Sequence, residues 1–111
     1  MYVHPVVQTA NIANGGTTSQ ALRVTGGVIC GLITPGTLTG TAITFTACDT
    51  VDGTFVPVYD SDGNQVSVAV AASRALGLSG TEADALAPWS FLRLVSGSAE
   101  GAAREIKVVL R

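Results

Sequence analysis

Charged residues are scarce in this sequence. Asp, Glu, Lys and Arg make up 13% of its 111 residues, against roughly 25% in ordinary soluble domains. Lys107 is the single Lys, and the formal net charge is -2. This balance argues against a nucleic-acid-binding protein, which needs a basic patch. Hydrophobic residues make up 47% of the chain, so a monomer would expose much uncharged surface. We interpret this as a sign that other chains cover part of that surface.

Residues that carry enzymatic chemistry are also few. The chain has one His, His4, and two Cys, Cys30 and Cys48. A general base needs a positioned partner, and nothing in the sequence places one beside His4. The sequence has no G-x-S-x-G elbow, no phosphate-binding loop and no CxxC pair. We therefore expect no enzymatic activity, no cofactor and no metal site, and the thiols are either two buried free groups or a single bridge.

Long apolar runs are missing as well. None approaches the roughly 18 residues that a membrane-spanning helix needs. The first residues, MYVHPVVQTANIANGG, lack the charged segment and apolar core of a secretory signal. We therefore expect the chain to be made in the cytoplasm.

What the sequence does have is a period-2 alternation of apolar and polar residues along most of its length, which is the pattern of half-buried strands. Gly, Thr, Ser and Asn fill the joints, as turns require. The pattern predicts a single all-β domain over residues 1–111, an antiparallel β-sandwich or jelly roll of eight or nine short strands. Pro57 cannot donate to a ladder and indicates an edge strand or a bulge. The predicted core is Ile43, Phe45, Val68, Leu92, Leu94, Ile106 and Val108.

One segment, SGTEADALAP, breaks the alternation. Thr81 is the predicted N-cap, the acidic residues Glu82 and Asp84 are predicted in the first turn, and Pro88 stops the element. This predicts one short helical turn near residues 81–87. Trp89 follows it, and we expect its ring to plug an end of the core.

Two Asp-Gly pairs, Asp52-Gly53 and Asp62-Gly63, stand at the turns of ITFTACDTVDGTFVPVYDSDGNQVSVAV. Clustered carboxylates suit calcium, but the twelve-residue spacing and terminal Glu of a calcium loop are missing. Asp-Gly is also a strong hairpin signal, because Gly accepts the positive φ that closes such a turn. We predict that the four acids mainly shape the two hairpins: Asp49, Asp52, Asp60 and Asp62.

Candidate contact residues are Arg side chains and the N-terminal segment. Arg is favoured over Lys at protein interfaces because its planar fork binds carboxylates; the alternative is a solvated face with weak ion pairs. The first 16 residues are either a candidate extended arm that adds a strand to a neighbour or an ordinary first strand. Aromatic residues that could stack on a sugar are few, namely Trp89, Tyr2 and Tyr59. The predicted interface residues are Tyr2, Val3, His4, Arg23, Arg93 and Arg104.

Two stretches carry a resemblance to a known group of proteins. They are LTGTAITFTACDTVDGTFVPVYDSDGNQVSVAVAASRALGL and APWSFLRLVSGSAEGAAREIKVVL. From Gly40 to its end, the chain resembles small virion structural proteins of tailed phages and prophages. The hairpin around Pro57 is also similar to those of other jelly-roll modules. These motifs are packing and turn motifs, and the N-terminal third is the least covered by the resemblance.

The resemblance implies a structural role rather than a reaction. It implies a capsid decoration (cement) protein on the virion surface, bound to major capsid protein subunits and forming a homo-oligomer, with a trimer favoured. The base of a head or tail fibre is a second possibility within the same family. A carbohydrate- or receptor-binding module is the alternative from another class, and an aromatic-lined groove near the acidic hairpins would favour it.

Overall fold

The computed structural model describes residues 6–25 and 27–111. This part of the chain forms nine strands and one short helix. Their bounds are β1 Val6–Ile12, β2 Leu22–Arg23, β3 Ile29–Ile33, β4 Ala42–Cys48, β5 Val56–Pro57, β6 Ser67–Ala69, β7 Ala75–Gly77, α1 Gly80–Leu86, β8 Phe91–Ser96 and β9 Arg104–Leu110.

The strands form two antiparallel sheets that pack against each other. The first sheet has the order β1-β9-β3-β7, and the second has the order β2-β8-β4-β5, with β6 also pairing with β4. The prediction of an all-β sandwich is therefore confirmed. Pro57 lies on β5 at the edge of the second sheet, where its missing N–H breaks no ladder.

The core is where the alternation predicted it. All seven predicted core residues are buried, and the most exposed of them, Val68, reaches only 7%. On β4 and β8, buried residues alternate strictly with half-buried ones. The inward positions of these two strands, including Phe45 and Leu94, face each other in register across the ladder. Alternation in the sequence thus becomes one apolar layer between the sheets.

The outer edge of β1 is covered by a side chain rather than by another strand. The Gln20 carboxamide accepts a bond from the Asn11 N–H at 2.8 Å and donates to the Thr9 carbonyl at 2.8 Å. Its amide therefore satisfies edge groups that could otherwise pair with another chain. β1 itself pairs with β9 along all seven of its residues. Over residues 6–12 the segment is an ordinary first strand, and residues 1–5 lie outside the described part.

One buried carboxylate joins three loops. Glu100 is 1% exposed, and its two oxygens accept bonds from the Thr39 and Gly40 N–H groups and from the Ser96 hydroxyl. Arg104 donates to it from Nε at 2.9 Å. The Glu100 backbone also bonds to the loop after β1, through two further hydrogen bonds. Burial opposes ionisation of the carboxyl, but these donors outweigh it and lower the pKa of Glu100 to about 2.

The helix differs from its prediction at its start. The N-cap is Ser79, not Thr81: the Ser79 hydroxyl accepts from the Glu82 N–H, and the Glu82 carboxylate accepts from the Ser79 N–H. Ser79 and Glu82 have the three-residue spacing of a capping box in the sequence, but Ser79 stands before a Gly, whereas Thr81 directly precedes the acidic residue. Among the described residues, no helix is both long enough and sufficiently apolar to cross a bilayer.

Candidate functional site

Two exposed aromatic rings border a pair of adjoining cavities. Tyr59 is 53% exposed and Trp89 is 40% exposed, and both line a cavity of about 440 Å³ and a second one of about 350 Å³. We call the two cavities together the aromatic groove. The prediction that Trp89 plugs the core is therefore wrong; the buried residue of the preceding helix is Leu86, which is 1% exposed.

The alternation of the second hairpin points Tyr59 outwards. Val58 is 2% exposed and its N–H donates to the Phe45 carbonyl, so it belongs to the buried face. The next side chain must then project to the opposite face. Tyr59 pairs with Gln65 across the hairpin through an isolated bridge, which holds the backbone beneath the ring.

Asp60 closes that hairpin. Its Oδ1 accepts bonds from the N–H groups of Asp62 and Asn64, both at 2.9 Å, which is the side-chain mimic of a turn. Gly63 has a φ of +84°, as the Asp-Gly signal predicted. The prediction of a structural turn is confirmed for Asp60 and Gly63, while no hydrogen bond of the Asp62 side chain is found among the described residues.

Gly53 departs from the same prediction. Its φ is not positive, since Gly15 and Gly63 are the positive-φ glycines of the described residues. A Cβ at Gly53 would instead overlap the Thr50 hydroxyl and the Cys48 sulfur. Close packing, rather than backbone conformation, therefore explains the Gly in the first hairpin.

The helix end fixes Trp89. Its indole N–H donates to the Ala85 carbonyl at 2.9 Å, one of the carbonyls that a helix end leaves without an intrahelical partner. Pro88, just before it, cannot continue the helix. The ring is thus held by a hydrogen bond on its polar edge, and the surface that it shows to solvent is carbon.

The groove is acidic. Asp60, Asp62 and Asp84 line its larger cavity and Asp49 lines the smaller one. Residues 49–84 contain six of the eight acidic residues of the chain and one of its six basic residues, Arg74. Among the described residues the one ion pair is that of Arg104 with Glu100, so these carboxylates have no basic partner there.

The acids do not converge as metal ligands do. Within residues 6–25 and 27–111 there is no group of three or more His, Cys, Asp or Glu side chains that could hold a metal ion. The smaller cavity is mostly apolar, lined by Val56, Pro57 and Val58 besides the two rings. Cys48 borders it and Cys30 lies on the other sheet, and both are free thiols.

The predicted interface residues are not brought together. Arg23 is exposed on β2, whereas the Arg93 guanidinium on β8 lies 4.4 Å from the centroid of the Phe55 ring. Arg104 is held by Glu100, with its side chain 12% exposed, which leaves it little surface for a partner. Tyr2, Val3 and His4 lie outside the described residues. Contact roles for these six residues stay predictions.

The aromatic groove was only partly visible in the sequence. Trp89 and Tyr59 stood out there as two of the few aromatic residues, but a Trp flanked by apolar segments usually packs inside. The signal that could have found it is Pro88-Trp89 directly after a helix whose Leu86 already fills the core position. No protein-family model matches this chain, and no curated protein is significantly similar to it.

Proposed function

We propose that this protein is a structural virion protein of a tailed phage, a capsid decoration (cement) protein that stabilises the shell by binding several capsid subunits. The proposal is supported by one observation above all: a β-sandwich with few charges keeps large apolar side chains exposed in separate places. Val6 and Val7 are each 55% exposed at the start of β1, and Val51 and Val56 are similarly exposed on the acidic hairpin side. Contiguous exposed apolar surface marks contact sites, and we propose that the neighbouring Val6 and Val7 form part of such a surface.

The start of β1 is the proposed contact with the shell. Gln20 covers the other half of this strand edge, so the contact would use Val6, Val7 and the residues that precede them. Each contact is weak, but a homo-oligomer, with a trimer favoured, touches several major capsid subunits at once. Effective concentration then raises the overall affinity.

Co-sedimentation with capsids that lack the protein tests the proposal. We expect saturable binding, and we expect decorated capsids to survive heat or osmotic challenge that breaks bare ones. Deleting residues 1–5 together with Val6→Ser and Val7→Ser should weaken this binding while the melting temperature stays within a few degrees. Ile33→Ser, on an exposed apolar side chain of β3 that has no proposed contact role, is the control and should leave the binding unchanged. Absence of binding to any capsid preparation would refute the proposal.

A carbohydrate- or receptor-binding module on a virion surface is the second candidate. The observation that favours it is the aromatic groove, since sugars stack on exposed rings held in place. Binding of a glycan from an array, lost on Trp89→Ala and kept in the β1 variant, would support this candidate over the decoration role.

A further inference from the structure

The aromatic groove is built as a rigid platform. Trp89 is held by its bond to the Ala85 carbonyl, and Tyr59 stands on a hairpin whose turn Asp60 closes with two further bonds. A ligand that enters the aromatic groove meets rings that are already held in place. Such preorganisation reduces the entropy lost on binding.

The polar groups of the larger cavity are mostly acceptors. Three carboxylates line it, from Asp60, Asp62 and Asp84, and its lining contains no Lys, Arg, Asn or Gln. The Trp89 N–H, the one side-chain nitrogen of the lining, is already used within the chain. Hydroxyl groups of Tyr59, Ser61 and Thr81 complete the set. A complementary ligand therefore supplies N–H donors and positive charge.

The rings favour the same ligand. An aromatic face carries negative charge density and attracts a cation that lies over it, and Arg does this more often than Lys. A planar guanidinium also bonds to a carboxylate with two parallel N–H groups. We infer that the aromatic groove binds an arginine side chain presented by a partner protein, stacked on Trp89 or Tyr59 and bonded to the carboxylates of Asp62 and Asp84. The inference does not depend on the virion role.

A neutral sugar fits this lining less well. Sugar hydroxyls each donate and accept, so a sugar site usually offers amide or guanidinium donors beside its acceptors. The uncompensated carboxylates give the groove a negative potential, which a neutral ligand does not use and a cation does. The charge of the lining therefore decides in favour of a basic side chain.

Trp89 is the only Trp in the chain, so its fluorescence reports binding from inside the groove. The probes are acetylated tetra-arginine amide and its neutral counterpart of equal shape, acetylated tetra-citrulline amide. We expect a saturable change in Trp89 fluorescence with the arginine peptide, weakened by added salt because the charges are exposed. The citrulline peptide should bind at least about tenfold more weakly, as the loss of charge-assisted bonds predicts.

Variants separate the groove from general attraction to an acidic protein. Asp62→Asn combined with Asp84→Asn should weaken binding of the arginine peptide about three- to tenfold, as two exposed ion pairs would. Glu105→Gln, which removes an exposed carboxylate on β9, should leave it unchanged. Calorimetry with Trp89→Leu should show a further loss.

Three results would overturn the inference. They are equal affinity for the citrulline peptide, unchanged affinity in the double Asn variant, and a saturable Trp89 response to neutral maltoheptaose that the arginine peptide does not displace. The last result would assign the groove to glycans. None of them bears on capsid binding, which is measured separately by co-sedimentation.

Discussion

At the scale of single residues, Glu100 makes the stability of the fold depend on pH. It is a buried carboxylate whose oxygens are met by backbone N–H groups, a hydroxyl and a guanidinium. A buried charge is tolerated only when it is paired and hydrogen-bonded in this way. Because its donors come from the ends of separate strands, the group joins loops that are distant in the sequence.

The pH dependence of stability should report this carboxylate. Its pKa is about 2 in the folded protein and 4.5 as its ordinary value. The ionised form therefore stabilises the fold above pH 4.5, and that contribution is lost as the pH falls towards 2. A shift of this size corresponds to roughly 3 kcal/mol of unfolding free energy. Urea denaturation between pH 6 and pH 2 measures it.

Glu100→Gln should remove most of the slope of the unfolding free energy against pH. It should also lower that free energy at neutral pH by about 3 kcal/mol or more, because Arg104 then lacks its charged partner. Glu105→Gln, at an exposed position on β9, is the matched control and should keep the slope. An unchanged slope in Glu100→Gln would show that other carboxylates produce it.

The two hairpin glycines should respond to alanine for different reasons. Gly63→Ala places a side chain at a φ of +84°, which costs about 1 kcal/mol. Gly53→Ala instead forces the Thr50 and Cys48 side chains to move. Thermal denaturation compares both with Gly77→Ala, where a Cβ has open space. Equal stability of Gly63→Ala and Gly77→Ala would contradict the role of the turn.

At the scale of elements, the short helix matters because it carries Trp89 at its end. A helix of seven residues is not stable alone, so it depends on the buried Leu86 and on the Ser79 capping box. Any change that frays α1 should also loosen the ring that borders the aromatic groove.

Ser79→Ala should cost about 1 kcal/mol, because the N-cap hydroxyl no longer accepts the Glu82 N–H. Thr81 was the N-cap predicted from the sequence, but Ser79 caps the helix. Thr81→Ala should therefore leave the unfolding free energy almost unchanged. Denaturation followed by Trp89 fluorescence compares the two. A larger loss for Thr81→Ala would restore Thr81 as the cap.

Packing between the two sheets can be tested on β8, a strand of the second sheet. Leu94→Ala should lower the unfolding free energy by about 2 to 5 kcal/mol, since it opens a cavity between the sheets. Val95→Ala, on the other face of β8 and only half-buried, should cost clearly less. Similar losses for the two variants would mean that the faces of β8 are assigned wrongly.

At the scale of the whole molecule, uneven charge accompanies the exposed apolar side chains. Six of the eight acids lie within residues 49–84, whereas Arg104, Lys107 and Arg111 lie on or beside β9, where Glu105 also lies and Glu100 pairs with Arg104. An uneven charge distribution gives different sides of the surface different electrostatic potentials. This suits a protein that contacts different neighbours on different sides. This agrees with the proposed role in an assembly.

If the protein forms a homo-oligomer, its melting temperature should rise with protein concentration, because association stabilises the folded state by mass action. Calorimetry over a hundredfold range of concentration, with sedimentation equilibrium for the mass, makes the measurement. A concentration-independent melting temperature and the mass of one chain would argue against the trimer.

The amino-acid sequence alone predicts the class of fold and its core, because a period-2 pattern allows only one face of each strand to be buried; Phe45 and Leu94 could be assigned on that ground. It also determined the turn at Asp60 and Gly63, which depends on neighbours in the chain. Tertiary structure decided the rest. Glu100 is separated from Thr39 and Gly40 by 61 and 60 positions in the sequence, and no local signal marks their contact. Trp89 is 40% exposed and Leu86 only 1% exposed, and the sequence pattern does not tell which of these two apolar residues is buried. The aromatic groove therefore exists only where two hairpins and a helix end come together in the folded chain.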